Sequence, residues 1–189
     1  INGSVTDIAV GDLNSDSVSD IIIGSPVDGV RIFFRENNSS WSEGVKIESE
    51  KIRPYTKSLQ VIDENGKSDL FVLTEPGLEQ ISFLRGKPQY PSSLYREGEK
   101  RAYGIELIDL NDDAILDWMY LVPGDEFSLK VRLGKKEGFG PELSFDVSLS
   151  SFPTLLKTSS KSKQKKFCSI DSLSKEAVIF AFSNDNESN

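Results

Sequence analysis

Apolar residues in this chain come in short runs whose spacing is that of strands. Ile8 and Val10 alternate with other residues ahead of a polar loop, and Ile21-Ile22-Ile23 follow that loop as an unbroken run. Alternation with period two marks a strand with one buried face, and a short solid run bounded by turn residues marks a strand buried on both. A turn with Gly29 leads to a third stretch, Val30 to Phe34, and a Gly-bearing polar loop leads to a fourth near Val45 to Ile47. The order recurs with Ile105 and Leu107, then Trp118-Met119-Tyr120-Leu121-Val122, a turn with Gly124, Leu129 to Leu133, and Leu143 to Val147. A shorter version lies between them: Leu59 and Val61, Leu70-Phe71-Val72-Leu73, Pro76-Gly77, then Ile81 to Leu84. No segment of useful length carries the helical period, so the fold class expected is all-β. Four short antiparallel strands joined by turns are the content of one β-propeller blade, and repetition at this scale marks an array of such units.

The repeat divides 1–189, read as one propeller region, into units of about 5–50, 56–100 and 103–150, with an incomplete fourth at 165–189. The fourth unit is aligned on Asp171, with Phe167 to Ile170 before it and Ala177 to Phe182 after it. Aligned in this way, the first aspartates of the units (Asp12, Asp63, Asp109 and Asp171) stand 51, 46 and 62 residues apart. The last interval is stretched by 157–166, which holds five lysines among polar residues and is read as a solvated loop inserted between blades. About three and a half blades are thus expected. A partial array leaves sheet edges open, so the chain is expected to be a piece of a larger protein, or to be completed by another chain or segment.

The polar loops carry the candidate chemistry. Asp12-Leu13-Asn14-Ser15-Asp16-Ser17-Val18-Ser19-Asp20 and Asp109-Leu110-Asn111-Asp112-Asp113-Ala114-Ile115-Leu116-Asp117 both read D-x-N-x-D-x-x-x-D, and they lie 97 residues apart. Oxygen side chains at positions 1, 3, 5 and 9, with the main-chain carbonyl of position 7, are what a hard cation collects from one short loop; the ion expected is Ca2+, at two structural sites. An EF-hand is not expected, because position 12 is Ile23 or Tyr120, inside a strand, where that motif has Glu. The middle unit keeps Asp63, Asn65 and Asp69 in a loop two residues shorter, with Lys67 beside them. It is read as a degenerate site that keeps the turn and has lost the metal.

Composition narrows the function classes. A formal charge of −8 and a pI near 4.7 argue against nucleic acid or an anionic membrane as the main partner. The chain has no histidine, which excludes a Ser-His-Asp triad and most zinc sites within it. Cys168 is the single cysteine, so no intrachain disulfide forms. No apolar run is long enough for a bilayer-spanning helix. Ile1-Asn2-Gly3-Ser4 lacks a starting Met and the pattern of a signal peptide, which again suggests a processed chain or a piece of a longer one.

The acidic frame, flanked by strands at about 50-residue spacing, resembles the FG-GAP or VCBS repeat of integrin-α-like β-propellers. Ile8 to Gly24 is close to that pattern over its full length. The resemblance implies a calcium ion in each intact loop, held by Asp12, Asn14, Asp16, Asp20 and the Val18 carbonyl in one, and by Asp109, Asn111, Asp113, Asp117 and the Ile115 carbonyl in the other. The family usually has Gly at position 6, where Ser17 and Ala114 stand here. It further implies a binding or scaffold module of a secreted, cell-surface or periplasmic protein, with a protein or carbohydrate ligand and no membrane insertion. Two rival readings are a propeller enzyme acting on polysaccharide or phosphoester, and a structural subunit of a larger assembly. Acidic pairs such as Asp125-Glu126 and Glu97-Glu99 are expected to be solvated. A loose group of Tyr55, Tyr90, Tyr95 and Tyr103 with Arg53, Arg96 and Arg101 is a candidate ligand surface, with blade packing as the alternative. Asn-x-Ser triplets at Asn2, Asn37, Asn38 and Asn186 permit glycosylation in a secreted eukaryotic protein.

Overall fold

The computed structural model describes residues 3–36, 40–53, 57–64, 66–96, 102–156 and 165–182. The chain is all-β: four antiparallel sheets of β-propeller blade type, and no helix among the described residues long and apolar enough to cross a membrane. It divides into two compact units, Ile1–Ile105 and Glu106–Asn189.

In the first unit one sheet contains β1 (Asp7–Gly11), β2 (Asp20–Ser25), β3 (Gly29–Phe33) and β4 (Val45–Ile47), paired in that order. The next contains β5 (Leu59–Glu64), β6 (Lys67–Thr74), β7 (Gly77–Leu84), β8 (Lys87–Pro88) and β9 (Ser92–Arg96); β7 pairs with β8 near its end and with β9 near its start. The two sheets share one core, in which Ile22, Val30 and Ile32 of the first meet Leu70, Val72 and Ile81 of the second. Each fully buried aliphatic side chain there contributes on the order of 2 kcal/mol. Their first strands are also joined by a hydrogen bond from the Leu59 N–H to Asp7 Oδ2 (2.8 Å). Gly11 permits this approach, since a Cβ there would stand 2.4 Å from a Val61 methyl carbon.

The boundary between the units falls within β10 (Tyr103–Ile108), which begins a sheet completed by β11 (Asp117–Leu121), β12 (Leu129–Gly134) and β13 (Phe139–Ser144). Every residue of β11 is buried, as its solid apolar run requires. The last sheet has three strands, β14 (Thr154–Leu156), β15 (Lys166–Ile170) and β16 (Ala177–Ala181).

Four differences from the sequence reading stand out. Ile8 and Val10 are in a strand as expected, but each is 59% exposed, whereas Ile105 and Leu107 of the equivalent β10 are buried. Alternation marks a strand and its two faces; what covers a face is decided elsewhere in the fold. In β2 only Ile22 of the three isoleucines is fully buried, so that run alternates as well. The fourth strand of the third sheet lies at Phe139–Ser144 rather than Leu143 to Val147. The Lys135 N–H bonds the Gly138 carbonyl, so the chain turns back early and Phe139 pairs with Gly134 and packs on Trp118. Finally, the last sheet begins at Thr154, not 165. The lysine-rich segment therefore joins β14 to β15 inside that sheet, where the sequence reading put it between blades.

Candidate metal centre

Asp12–Ser19 joins β1 to β2, and Asp109–Leu116 joins β10 to β11, so both acidic frames occupy the same place in their sheets. Position 2 anchors each loop: Leu13 and Leu110 are buried beneath it. Above that anchor the side-chain oxygens accept hydrogen bonds from the loop's own backbone, in matching order. The N–H groups of Asp16 and Ser17 donate to Asp12 Oδ1 and Oδ2 (3.1 and 2.7 Å), as those of Asp113 and Ala114 donate to Asp109 (3.2 and 3.1 Å). The Val18 N–H donates to Asp16 Oδ1 at 2.8 Å, as that of Ile115 does to Asp113 Oδ1 at 2.8 Å. Asn14 Nδ2 donates to Asp16 Oδ2 at 2.9 Å, and Asn111 Nδ2 to Asp113 Oδ2 at 2.9 Å. Positions 1, 3 and 5 are thus brought together in both loops.

Position 9 differs from the others because it is fully buried. Asp20 accepts the Leu13 N–H on Oδ2 (2.9 Å) and the Arg35 N–H on Oδ1 (3.0 Å), and Asp117 accepts those of Leu110 (2.8 Å) and Gly134 (2.7 Å). Burial pushes both carboxyls above the usual range; the backbone donors oppose the shift, and the carboxylates at positions 5 and 1 add to it. Sequence reasoning treated this residue as one ligand among several and missed its role in tying the loop to the strand after the turn. The signal available was its place at the first residue of a strand whose next residues are apolar.

The loops turn through strained backbone. Ser15 and Ser17 have φ of 61° and 67°, and Asp112 and Ala114 have 60° and 65°, in the left-handed region that glycine adopts without penalty. Positions 4 and 6 are the same in both loops, so the turn geometry is kept although no glycine is present.

All-oxygen donors, three of them carboxylates in each loop, are chemically suited to a hard cation, and the mutual repulsion felt by Asp20 and Asp117 is what such a cation offsets. Among the described residues, however, no three His, Cys, Asp or Glu side chains are already placed around one point as a metal cage. The carboxylates are turned toward backbone N–H groups instead, each oxygen keeping a lone pair for a further partner.

In the second sheet the strands run through the degenerate loop. Asp63 pairs with Ser68 and Glu64 with Lys67, so only 65–66 separate the paired strands, and Gly66 has φ of 74°. Asn65 lies outside the described residues. Asp69 sits opposite Ile62 and accepts a hydrogen bond from Gln80 Nε2 (2.7 Å), and Asp63 and Asp69 lie on paired strands rather than around a shared loop.

The remaining candidates disperse. Arg53 is buried and donates to the Ala102 and Glu75 carbonyls at 2.6 and 3.0 Å, while Tyr90 is 87% exposed. Tyr55, Arg101, Glu97, Glu99, lysines 157–164 and the triplets at Asn2, Asn37, Asn38 and Asn186 involve residues outside those described. Asp125 is paired with the buried Lys130 (3.3 Å). Beside that pair the Tyr120 hydroxyl donates to Glu142 Oε2 at 2.7 Å, and burial first, then this carboxylate, push the phenol far above its ordinary pKa. This hydrogen bond ties β11 to β13 across β12. Lys165 Nζ reaches Asp112 Oδ1 at 3.1 Å, so the end of the lysine-rich connection meets the acidic loop of the third sheet. No model of a known protein family matches the chain, and no curated protein matches it.

Proposed function

We propose that this chain is a calcium-stabilised β-propeller module of the FG-GAP or VCBS type that serves binding or scaffolding outside the cytoplasm. One observation carries the reading: two loops 97 residues apart in sequence share the frame D-x-N-x-D-x-x-x-D and repeat the same hydrogen bonds at the same place between strands. Asp12, Asn14, Asp16 and Asp20 would hold one ion with the Val18 carbonyl, and Asp109, Asn111, Asp113 and Asp117 the other with the Ile115 carbonyl. A bound calcium would supply positive charge among three carboxylates and stiffen a turn strained at two residues. Its role is structural, and its modest expected affinity suits the millimolar calcium outside cells. The absence of histidine supports binding rather than catalysis.

Calcium titration followed by calorimetry and by thermal unfolding, with EGTA as control, tests this. Two binding events and a raised unfolding midpoint are expected, with Asp16→Ala and Asp113→Ala each removing one event. No binding, or binding indifferent to both substitutions, overturns it.

A further inference from the structure

We propose that the cleft between β4 and β9 in the first unit binds a neutral oligosaccharide. The cleft has a volume of about 710 Å³, within the range of small-ligand sites. Lys46, Glu48 and Glu50 line one wall, and Glu79, Pro91 and Arg96 line the other. A smaller recess of about 350 Å³ shares Lys46, Glu48 and Pro91 with it and adds Tyr90.

Glu79 is the unusual member. It belongs to β7, is only 7% exposed, and accepts a hydrogen bond from the Glu50 backbone, yet its Oε2 is buried with no hydrogen-bond partner among the described residues. A buried acceptor without a donor is costly, so Oε2 calls for a partner from outside the described fold. A ligand that donates a hydrogen bond into the cleft supplies what the fold lacks.

The lining decides the class of ligand. Three carboxylates stand against two cations, so neither a polyanion nor a polycation is matched throughout, and groups that both donate and accept are. Sugar hydroxyls donate to Glu79 and Glu50 and accept from Lys46 and Arg96. Tyr90, 87% exposed beside Pro91, offers an aromatic face for the C–H side of a sugar ring.

The inference deepens the binding role proposed above and does not depend on calcium. Its test is an amide NMR titration of the full chain with cellotriose, maltotriose and chitotriose, with trilysine as the charged comparison, and with calcium calorimetry on the same samples. At least one trisaccharide is expected to give saturable shifts on β4 and β9, weakened about tenfold in Glu79→Gln and in Tyr90→Ala. Tyr90 is exposed, so its variant tests the cleft without touching the buried carboxylate. Silence from all three sugars, binding unchanged in both variants, or a response to trilysine alone overturns the proposal. Sugar binding without calcium binding would sink the metal reading only, and the reverse result would sink the cleft only.

Discussion

Asp117 Oδ1 accepts a hydrogen bond from the Gly134 backbone N–H at 2.7 Å, so the last residue of the acidic frame is tied to the end of β12, two strands from where the loop began. Its other oxygen holds the Leu110 N–H within the loop. Removing the carboxylate strands two buried donors at once. Asp117→Ala is therefore expected to cost on the order of 3 kcal/mol in urea unfolding with EGTA present, and Asp20→Ala a similar amount. A loss below about 1 kcal/mol would show that the loop is not held this way.

Position 6 of both frames holds a side chain where glycine fits the backbone better. Ala114→Gly and Ser17→Gly are each expected to stabilise the protein by about 1 kcal/mol, since relief of left-handed strain outweighs the added freedom of the unfolded chain. Thermal unfolding in EGTA checks the sign; a lowered midpoint in both would refute the strain argument.

Glu79 sets a pH dependence. Burial raises its folded pKa above the ordinary 4.5 of a glutamate, so the folded state holds the proton more tightly than the unfolded chain does. The stabilisation is full below the unfolded value and is lost as pH rises through the folded one. Glu79→Gln is expected to remove that decline, leaving a flatter stability profile above pH ~4.5 and a variant more stable than the parent at neutral pH. Urea midpoints across that range, parent against variant, measure the difference; parallel profiles would contradict it.

Gly77 admits no side chain. Its φ is 147°, and a Cβ there would lie 2.0 Å from the Tyr95 carbonyl oxygen, where β9 crosses the start of β7. Gly77→Ala is expected to detach β9, losing the wall of the cleft that bears Arg96, with a fall in thermal midpoint of several degrees. Retention of slow amide exchange along β9 in the variant would rule this out.

Much of the fold was legible because its signals are local. Alternating and solid apolar runs give strands whatever covers them, and the twin frames set the repeat at Asp12 and Asp109. The fourth sheet was harder because its first strand is only three residues, none buried, and because the loop after it has no aspartate to align. Asp171 attracted the alignment instead, but it caps its own turn by accepting the Leu173 and Ser174 N–H groups, which lower its pKa. With Lys157 taken as the residue after β14, the intervals become 51, 46 and 48 residues, and no insertion remains. Glu79 was invisible for another reason: an acid between Leu78 and Gln80 in a strand has no sequence pattern that says whether its oxygens find donors.

The connection between the first two strands of a sheet takes three forms here: an eight-residue acidic loop, a link of two residues, and a lysine-rich segment. The strands on either side keep their pairing in all three. Loop chemistry is thus decoupled from the scaffold, and the connections can be exchanged like cartridges. Grafting 109–116 between β14 and β15 would give the last sheet an acidic loop of its own, and placing the sequence Asn-Gly between β10 and β11 would take one away, each without redesigning a strand.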